Sequence, residues 1–218
     1  MNKDLGPVVG ELAGKKIRAN QLLRRGYEWR QGYGTPSDGH DTSSQHAPVK
    51  SLTANEHALI VFWSRSGSTE LLASKIAALT GADVLEVVLA KPYPANYQLT
   101  LARAEEERLG GRPPKAVTQL PDLEQYDTIY LGFQTWAMTM SQPMQGFLQA
   151  QGKKIAGKTV APFLSQGSYG VGNGLNVLQS LLGSGNKILR PLVINGNEVD
   201  RHDDELAAWV KAVEKQNA

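Results

Sequence analysis

Cysteine is missing from the 218-residue sequence. Its absence excludes disulfides, thiolate metal sites, cysteine nucleophiles and cysteine-ligated iron–sulfur clusters. The four histidines show no zinc-ligand spacing, and His40 and His46 lie in a linker-like stretch where a solvated role is expected. No apolar run approaches the roughly 20 residues of a membrane span, so none is expected. The opening MNKDLGPVVGELAGKK lacks the continuous apolar stretch of a signal peptide. A cytoplasmic protein is therefore expected, although an exported form with its signal already removed would read the same. Nucleotide and hydrolase motifs find no support either. GKKIAGKT (152–159) spells GxxxxGK[ST], but it leads into the apolar segment 157–164 instead of following a strand and opening a helix, as a triphosphate P-loop requires, and no serine is flanked as in GxSxG. GSYGVGNGL (167–175) fails GxGxxG because Leu175 stands where the last glycine belongs.

What is present divides near residue 55. Residues 1–54 hold eight Lys/Arg against five Asp/Glu, whereas the remainder holds 15 against 16. The excess positive charge thus belongs to an N-terminal arm, and nothing in the near-neutral main domain points to nucleic acid. The arm contains a basic stretch readable as a helix (GELAGKKIRANQLLRR), an aromatic patch (GYEWRQGY) and a linker-like GTPSDGHDTSSQHAPVKS. It is expected to be a basic extension, residues 1–54. Either it is flexible, or it is a strap packing on its own domain or on a partner through Tyr27, Trp29 and Tyr33.

Residues 55–218 form the expected main domain. HALIVFW (57–63), ADVLEVVLA (82–90), DTIYLGF (127–133), GKTVAPFL (157–164) and NKILRPLVI (186–194) are short and almost continuously apolar. That pattern belongs to strands covered on both faces. Between them lie helical segments: Leu72, Ile76 and Leu79 recur at helical spacing in 68–80, as do Leu206, Trp209, Val210 and Val213 in 202–215. Weaker patterns at 96–109, 141–151 and 173–182 also predict helices. The alternation predicts an α/β fold with an open parallel sheet and helices on both faces.

In such sheets ligands bind beyond the carboxyl ends of the strands. The first of these loops is Ser64-Arg65-Ser66-Gly67-Ser68-Thr69. Its glycine permits a tight turn, and the start of the following helix favours an anion. A helix cap needs one hydroxyl, whereas this loop has four in six positions, which points to phosphate binding. After the third strand, Gln134-Thr135-Trp136-Ala137-Met138 offers a flat aromatic face just beyond the sheet. After the fourth, Ser165-Gln166-Gly167-Ser168-Tyr169-Gly170 offers close backbone approach and a second aromatic face. Together these loops describe a site for a planar molecule with a phosphate tail.

Residues 58–215 resemble a flavodoxin. Members of that family carry a Ser/Thr-x-Ser/Thr-Gly-x-Thr loop after the first strand, which residues 64–69 match throughout. KPYPANYQLTLARAEEERLGGRPP (91–114), GFQTWAM and GKTVAPFLSQGSYGVG extend the resemblance in the right order. It implies a flavodoxin-like three-layer α/β/α sandwich, five parallel strands in the order 2-1-3-4-5, with an N-terminal extension. It also implies flavin mononucleotide (FMN) as cofactor. Ser64, Ser66, Gly67, Ser68 and Thr69 would hold the phosphate, Trp136 and Tyr169 would cover the ring, and backbone groups of 134–138 and 165–170 would meet its polar edge. No metal and no acid–base catalytic residue is implied.

Two departures bear on function. Ala137 stands where many members of the family have glycine, and a Cβ there penalises the φ > 0 conformation. This implies weaker stabilisation of a one-electron-reduced flavin. Carrier flavodoxins are also strongly acidic and dock on basic partners by electrostatic steering, which the near-neutral domain lacks. The expected function is therefore an FMN-binding electron carrier serving redox partner proteins or a small-molecule acceptor. The alternatives are an NAD(P)H- or quinone-linked reductase, and a flavin-free scaffold.

Overall fold

The computed structural model describes residues 8–23, 48–54, 56–167 and 169–216. Tyr27, Trp29, Tyr33, His40, His46 and Ser168 lie outside them. Among the described residues the chain forms β1 (Val8–Leu12), β2 (Lys15–Arg18), a 3₁₀ turn (Asn20–Leu23) and β3 (Lys50–Ser51). The main domain follows as β4 (Ala58–Phe62), α1 (Ser68–Thr80), β5 (Asp83–Glu86), α2 (Tyr97–Leu109), β6 (Thr128–Trp136) and β7 (Thr139–Met140). It continues with α3 (Gln142–Gln151), β8 (Thr159–Gln166), α4 (Gly174–Leu181), β9 (Lys187–Ile188), β10 (Leu192–Asn195) and α5 (Asp203–Glu214).

The central sheet runs β10-β8-β6-β4-β5-β3. Its five main strands pair in parallel, in the order 2-1-3-4-5 that the resemblance implies, and β3 adds an antiparallel edge beside β5. Continuous apolarity has the reason given for it. Alternate residues of a strand point to opposite faces, and both faces are covered. On one face Ile60, Phe62, Tyr130 and Phe163 pack against Leu72 and Ile76 of α1 and Leu206 and Val210 of α5. On the other, Val61, Leu131, Phe133 and Leu164 pack against Met144 and Phe147 of α3 and Leu178 of α4. The result is a three-layer α/β/α sandwich. Gly132 sits where a Cβ would fall 2.4 Å from Phe163 and 2.8 Å from Phe62. Its lack of a side chain lets the Phe163 ring and the Phe62 Cβ close over the middle strand.

Two local expectations are corrected. The single fifth strand expected at 186–194 is two pieces, β9 and β10, each parallel to β8. Between them Pro191 has no N–H to give the ladder, and the register slips by one residue. The described part of the arm's basic stretch is not an α-helix. It folds as an antiparallel hairpin, β1 with β2, around a tight turn at Ala13 (φ 48°) and Gly14 (φ 83°). The hairpin packs because it has an apolar side: Leu12, Ile17, Ala19 and Leu22 join the hydrophobic layer of α1 and α5. Lys15 completes the attachment, with Nζ 3.3 Å from Glu86 and 3.5 Å from Glu70. The described part of the arm is thus a strap on its own domain.

Glu86 is 1% exposed and also accepts the Val49 N–H at 2.6 Å. Burial pushes its carboxyl above the ordinary range despite the lysine beside it. Burial pulls the Lys15 ammonium down, but the two carboxylates outweigh it and hold its pKa above the usual value.

Candidate functional site

The carboxyl ends of β4, β6 and β8 converge, and one glutamine ties them together. Gln134 Nε2 donates to the Trp63 carbonyl oxygen and, at 2.7 Å, to Thr69 Oγ1. Thr69 Oγ1 in turn lies 3.0 Å from Ser165 Oγ. Each strand end therefore fixes the next. Gly67 (φ 86°) makes the turn into α1, and its N–H is accepted by Ser64 Oγ at 3.1 Å. Ser68 Oγ has a single proton and two acceptors in reach, Gln21 Oε1 at 2.8 Å and the Gly196 carbonyl at 2.7 Å. Arg65 is directed the other way, toward Thr100 Oγ1 (3.2 Å) and the Ala95 carbonyl (2.8 Å), with its guanidinium 6.0 Å from the Tyr97 ring centre.

Trp136 ends β6 edge-on to two other rings, Trp63 at 5.4 Å and Tyr93 at 5.5 Å. Such edge-to-face contacts are favourable and fix the plane of the indole. Tyr93 is itself held: Arg103 stacks 4.1 Å above it and its hydroxyl donates to Glu107. Burial, then that hydrogen bond, pushes the Tyr93 phenol well above its ordinary value, so it stays a donor. Beyond Trp136 the chain reverses into β7 through Ala137 (φ 47°) and Met138 (φ 61°), with Trp136 paired to Thr139. The Cβ of Ala137 does not keep this turn out of the left-handed region, as the penalty on it would favour. The two-residue connection demands φ > 0 at both positions. The third loop closes against the turn: Gly172 has no room for a Cβ, which would fall 1.9 Å from the Met138 carbonyl oxygen.

These three loops and α2 enclose a cleft of about 580 Å³, within the range of small-molecule and cofactor sites. The first loop contributes Arg65 and Ser66, the second the whole of 134–138, and the third Ser165, Gln166, Gly167, Tyr169 and Gly170. Ser64, Gly67, Ser68 and Thr69 do not line it. They stand behind its wall, buried and hydrogen-bonded as above. Ser168 lies outside the described residues. Tyr169 is 67% exposed and stands at the mouth. Two polar atoms of the wall, Gln134 Oε1 and Thr135 Oγ1, are buried and have no hydrogen-bond partner among the described residues. Unmet acceptors and hydroxyls are costly in an interior, and these two belong to residues that line the cleft.

The structure also adds residues that sequence reading did not assign to the site. Tyr97, Leu101, Ala104 and Arg108 of α2 line the cleft. Their spacing of four, three and four residues places them on one helical face, and that stripe was the signal available. Gln21 lines it as well, carried there by the arm, and no local pattern marks it. Among the described residues no group of three acidic or histidine side chains could hold a metal ion, and no helix is long and apolar enough to cross a membrane.

A five-stranded parallel sheet in this order, with a cofactor-sized cleft where the strand order reverses, defines a flavodoxin-like fold. The flavodoxin family model matches residues 57–213, and the chain belongs to that family. Solved structures agree on the fold. A candidate flavoprotein from Bacteroides eggerthii DSM 20697 is 22% identical with a TM-score of 0.60, over 73% of this chain and 99% of that one. Another from Bacteroides uniformis ATCC 8492 is 26% identical with a TM-score of 0.58, over 72% and 99%. A Lactobacillus acidophilus NCFM flavoprotein in complex with FMN is 21% identical with a TM-score of 0.54, over 67% and 97%. No curated protein matches the chain.

Proposed function

We propose that this chain is an FMN-binding redox protein, a carrier of electrons between partner proteins or to a small-molecule acceptor. The observation that carries the reading is the cleft: three strand-end loops at the point where strand order reverses, with unpartnered polar atoms in an aromatic-lined wall. Membership of the flavodoxin family and the FMN complex of the Lactobacillus relative support it. When bound, the flavin supplies the redox chemistry.

The chain's own residues bind and orient. Gln134 Oε1 is an acceptor suited to a ring N–H, and Thr135 Oγ1 can donate or accept. Trp136, its plane set by Trp63 and Tyr93, gives one aromatic surface, and Tyr169 at the mouth gives another. The phosphate is assigned to the part of the 64–69 loop that faces the cleft, Arg65 and Ser66, at the N-terminal end of α1, where the helix dipole favours an anion. Within that loop the roles divide. Ser66 lines the cleft, Ser64 keeps its own proton after accepting from Gly67, and Ser68 and Thr69 fix the loop's shape through their bonds to other segments. No side chain is assigned as an acid or base, because outer-sphere electron transfer needs none.

The near balance of charge in residues 55–218, 15 basic against 16 acidic, favours a second reading, an NAD(P)H- or quinone-linked reductase. One anaerobic experiment addresses both. FMN-loaded protein is reduced with dithionite and then mixed with a one-electron acceptor such as ferricyanide. The carrier reading expects the flavin absorbance to bleach and return as the acceptor is consumed, with no bleaching by NADH or NADPH alone. Direct bleaching by a pyridine nucleotide would replace it with the reductase. A flavin that stays oxidised throughout would overturn both.

A further inference from the structure

The family match begins at residue 57, yet the arm before it reaches the cleft. The Asn20 N–H donates to the Ser66 carbonyl at 2.8 Å. The Arg18 carbonyl oxygen occupies the space a Cβ on Gly67 would take, 1.9 Å from its ideal position. Three residues on from Arg18, the Gln21 carboxamide lies between Ser68, whose Oγ is 2.8 Å from Gln21 Oε1, and Gly196, where a Cβ would fall 1.6 Å from the same atom. Glycine at 67 and at 196 thus makes the room that the arm uses. The segment is held from behind as well, since Ile17 and Ala19 are both fully buried and Lys15 joins Glu70 and Glu86. It is a fixed wall of the cleft. Of the described arm, Gln21 is the part that lines it, at the end bounded by Arg65 and Ser66 and next to the first turn of α1.

We propose that Gln21 is a specificity-determining residue of this site, placed by the arm against the phosphate-bearing end of the ligand. This rests on the flavin reading above. The side chain is polar, neutral and held on two sides, so it presents a hydrogen-bonding group to the ligand's tail without adding a charge. A carboxylate of the same shape at this position would face the phosphate directly, whereas the ring, at the Trp136 end, would not sense it. The consequence is a dependence on charge that changes sign with the charge introduced. A purely structural contact would not produce it.

The test uses the full chain and three variants, Gln21→Glu, Gln21→Lys and Gln21→Ala. Each is titrated with FMN and, in parallel, with riboflavin, which has the same ring and no phosphate, and each is melted without ligand. Gln21→Glu is expected to weaken FMN by about 30-fold or more while riboflavin stays within about threefold. Gln21→Lys is expected to tighten FMN, with the gain disappearing at high salt. Gln21→Ala is expected to weaken FMN several-fold. Equal losses for FMN and riboflavin in all three variants, or unchanged FMN binding in both charged ones, would overturn the proposal while leaving the flavin reading intact. If one charged variant fails to fold, the sign of the other decides. Failure of the unaltered protein to bind either flavin would remove the flavin reading, and this proposal with it.

Discussion

Trp136 shows how much a single side chain depends on its surroundings. Its indole is set by two edge-to-face neighbours, and one of these, Tyr93, is fixed by Arg103 and Glu107. A rigid aromatic surface loses little freedom when a planar ring meets it. Replacing Trp136 by alanine is expected to weaken flavin binding by about 10- to 100-fold. The loss should be the same for FMN and riboflavin, because this residue meets the ring and not the phosphate. Parallel titrations check it, and a loss confined to FMN would contradict the placement. Trp136 was legible in the sequence as an aromatic residue just past a strand. The residues that aim it were not, since Trp63 reads as the end of an apolar run and Tyr93 sits among prolines. The opposite lesson comes from the hydroxyls of 64–69. Their number pointed to an anion, but the structure gives the Ser68 and Thr69 side chains protein partners and leaves Ser66 on the cleft. Sequence spacing shows that donors are near one another, and only geometry shows where each one points.

Among the elements, the arm's hairpin depends most on one ion pair. Lys15 lies against Glu86, a carboxylate in the interior, and truncating one partner of a buried pair leaves an uncompensated charge. Lys15→Met is expected to cost about 3–5 kcal/mol at pH 8, measured by urea denaturation. The pH dependence follows from Glu86. Burial raises its folded-state pKa above the ordinary carboxylate value. Its ionised form therefore costs stability at high pH, and that cost is relieved as pH falls through the raised value. The penalty of Lys15→Met should thus shrink toward pH 5. A penalty that grows on acidification would contradict the arrangement. The five helices of the main domain and the five positions of its parallel sheet were readable from period and composition, because both faces of the sheet must be covered. The hairpin was not. Its Lys, Arg, Leu and Ala suit a helix on propensity, and the turn at Ala13-Gly14 lets tertiary burial of Leu12 and Ile17 prevail. The break at Pro191 was visible in the sequence and underweighted, since a proline inside a strand run argues against continuity.

At the scale of the molecule, the flavodoxin sandwich supplies the sheet and the strand-end loops, and the arm adds a wall to the cleft they form. Fold and family were accessible from about 160 residues of alternating pattern and one hydroxyl-rich loop. The extent of the site was not, because the α2 face and Gln21 reach the cleft only once the layers are assembled. The central claim is that this cleft binds flavin by ring and phosphate together. The most direct measurement is a titration of flavin with the flavin-free 218-residue chain, following flavin fluorescence, with FMN and riboflavin in parallel. The account predicts strong quenching of FMN and much weaker quenching of riboflavin at the same protein concentration. Free fluorescence of both flavins at high protein concentration would contradict it, leaving the fold as a scaffold without the cofactor.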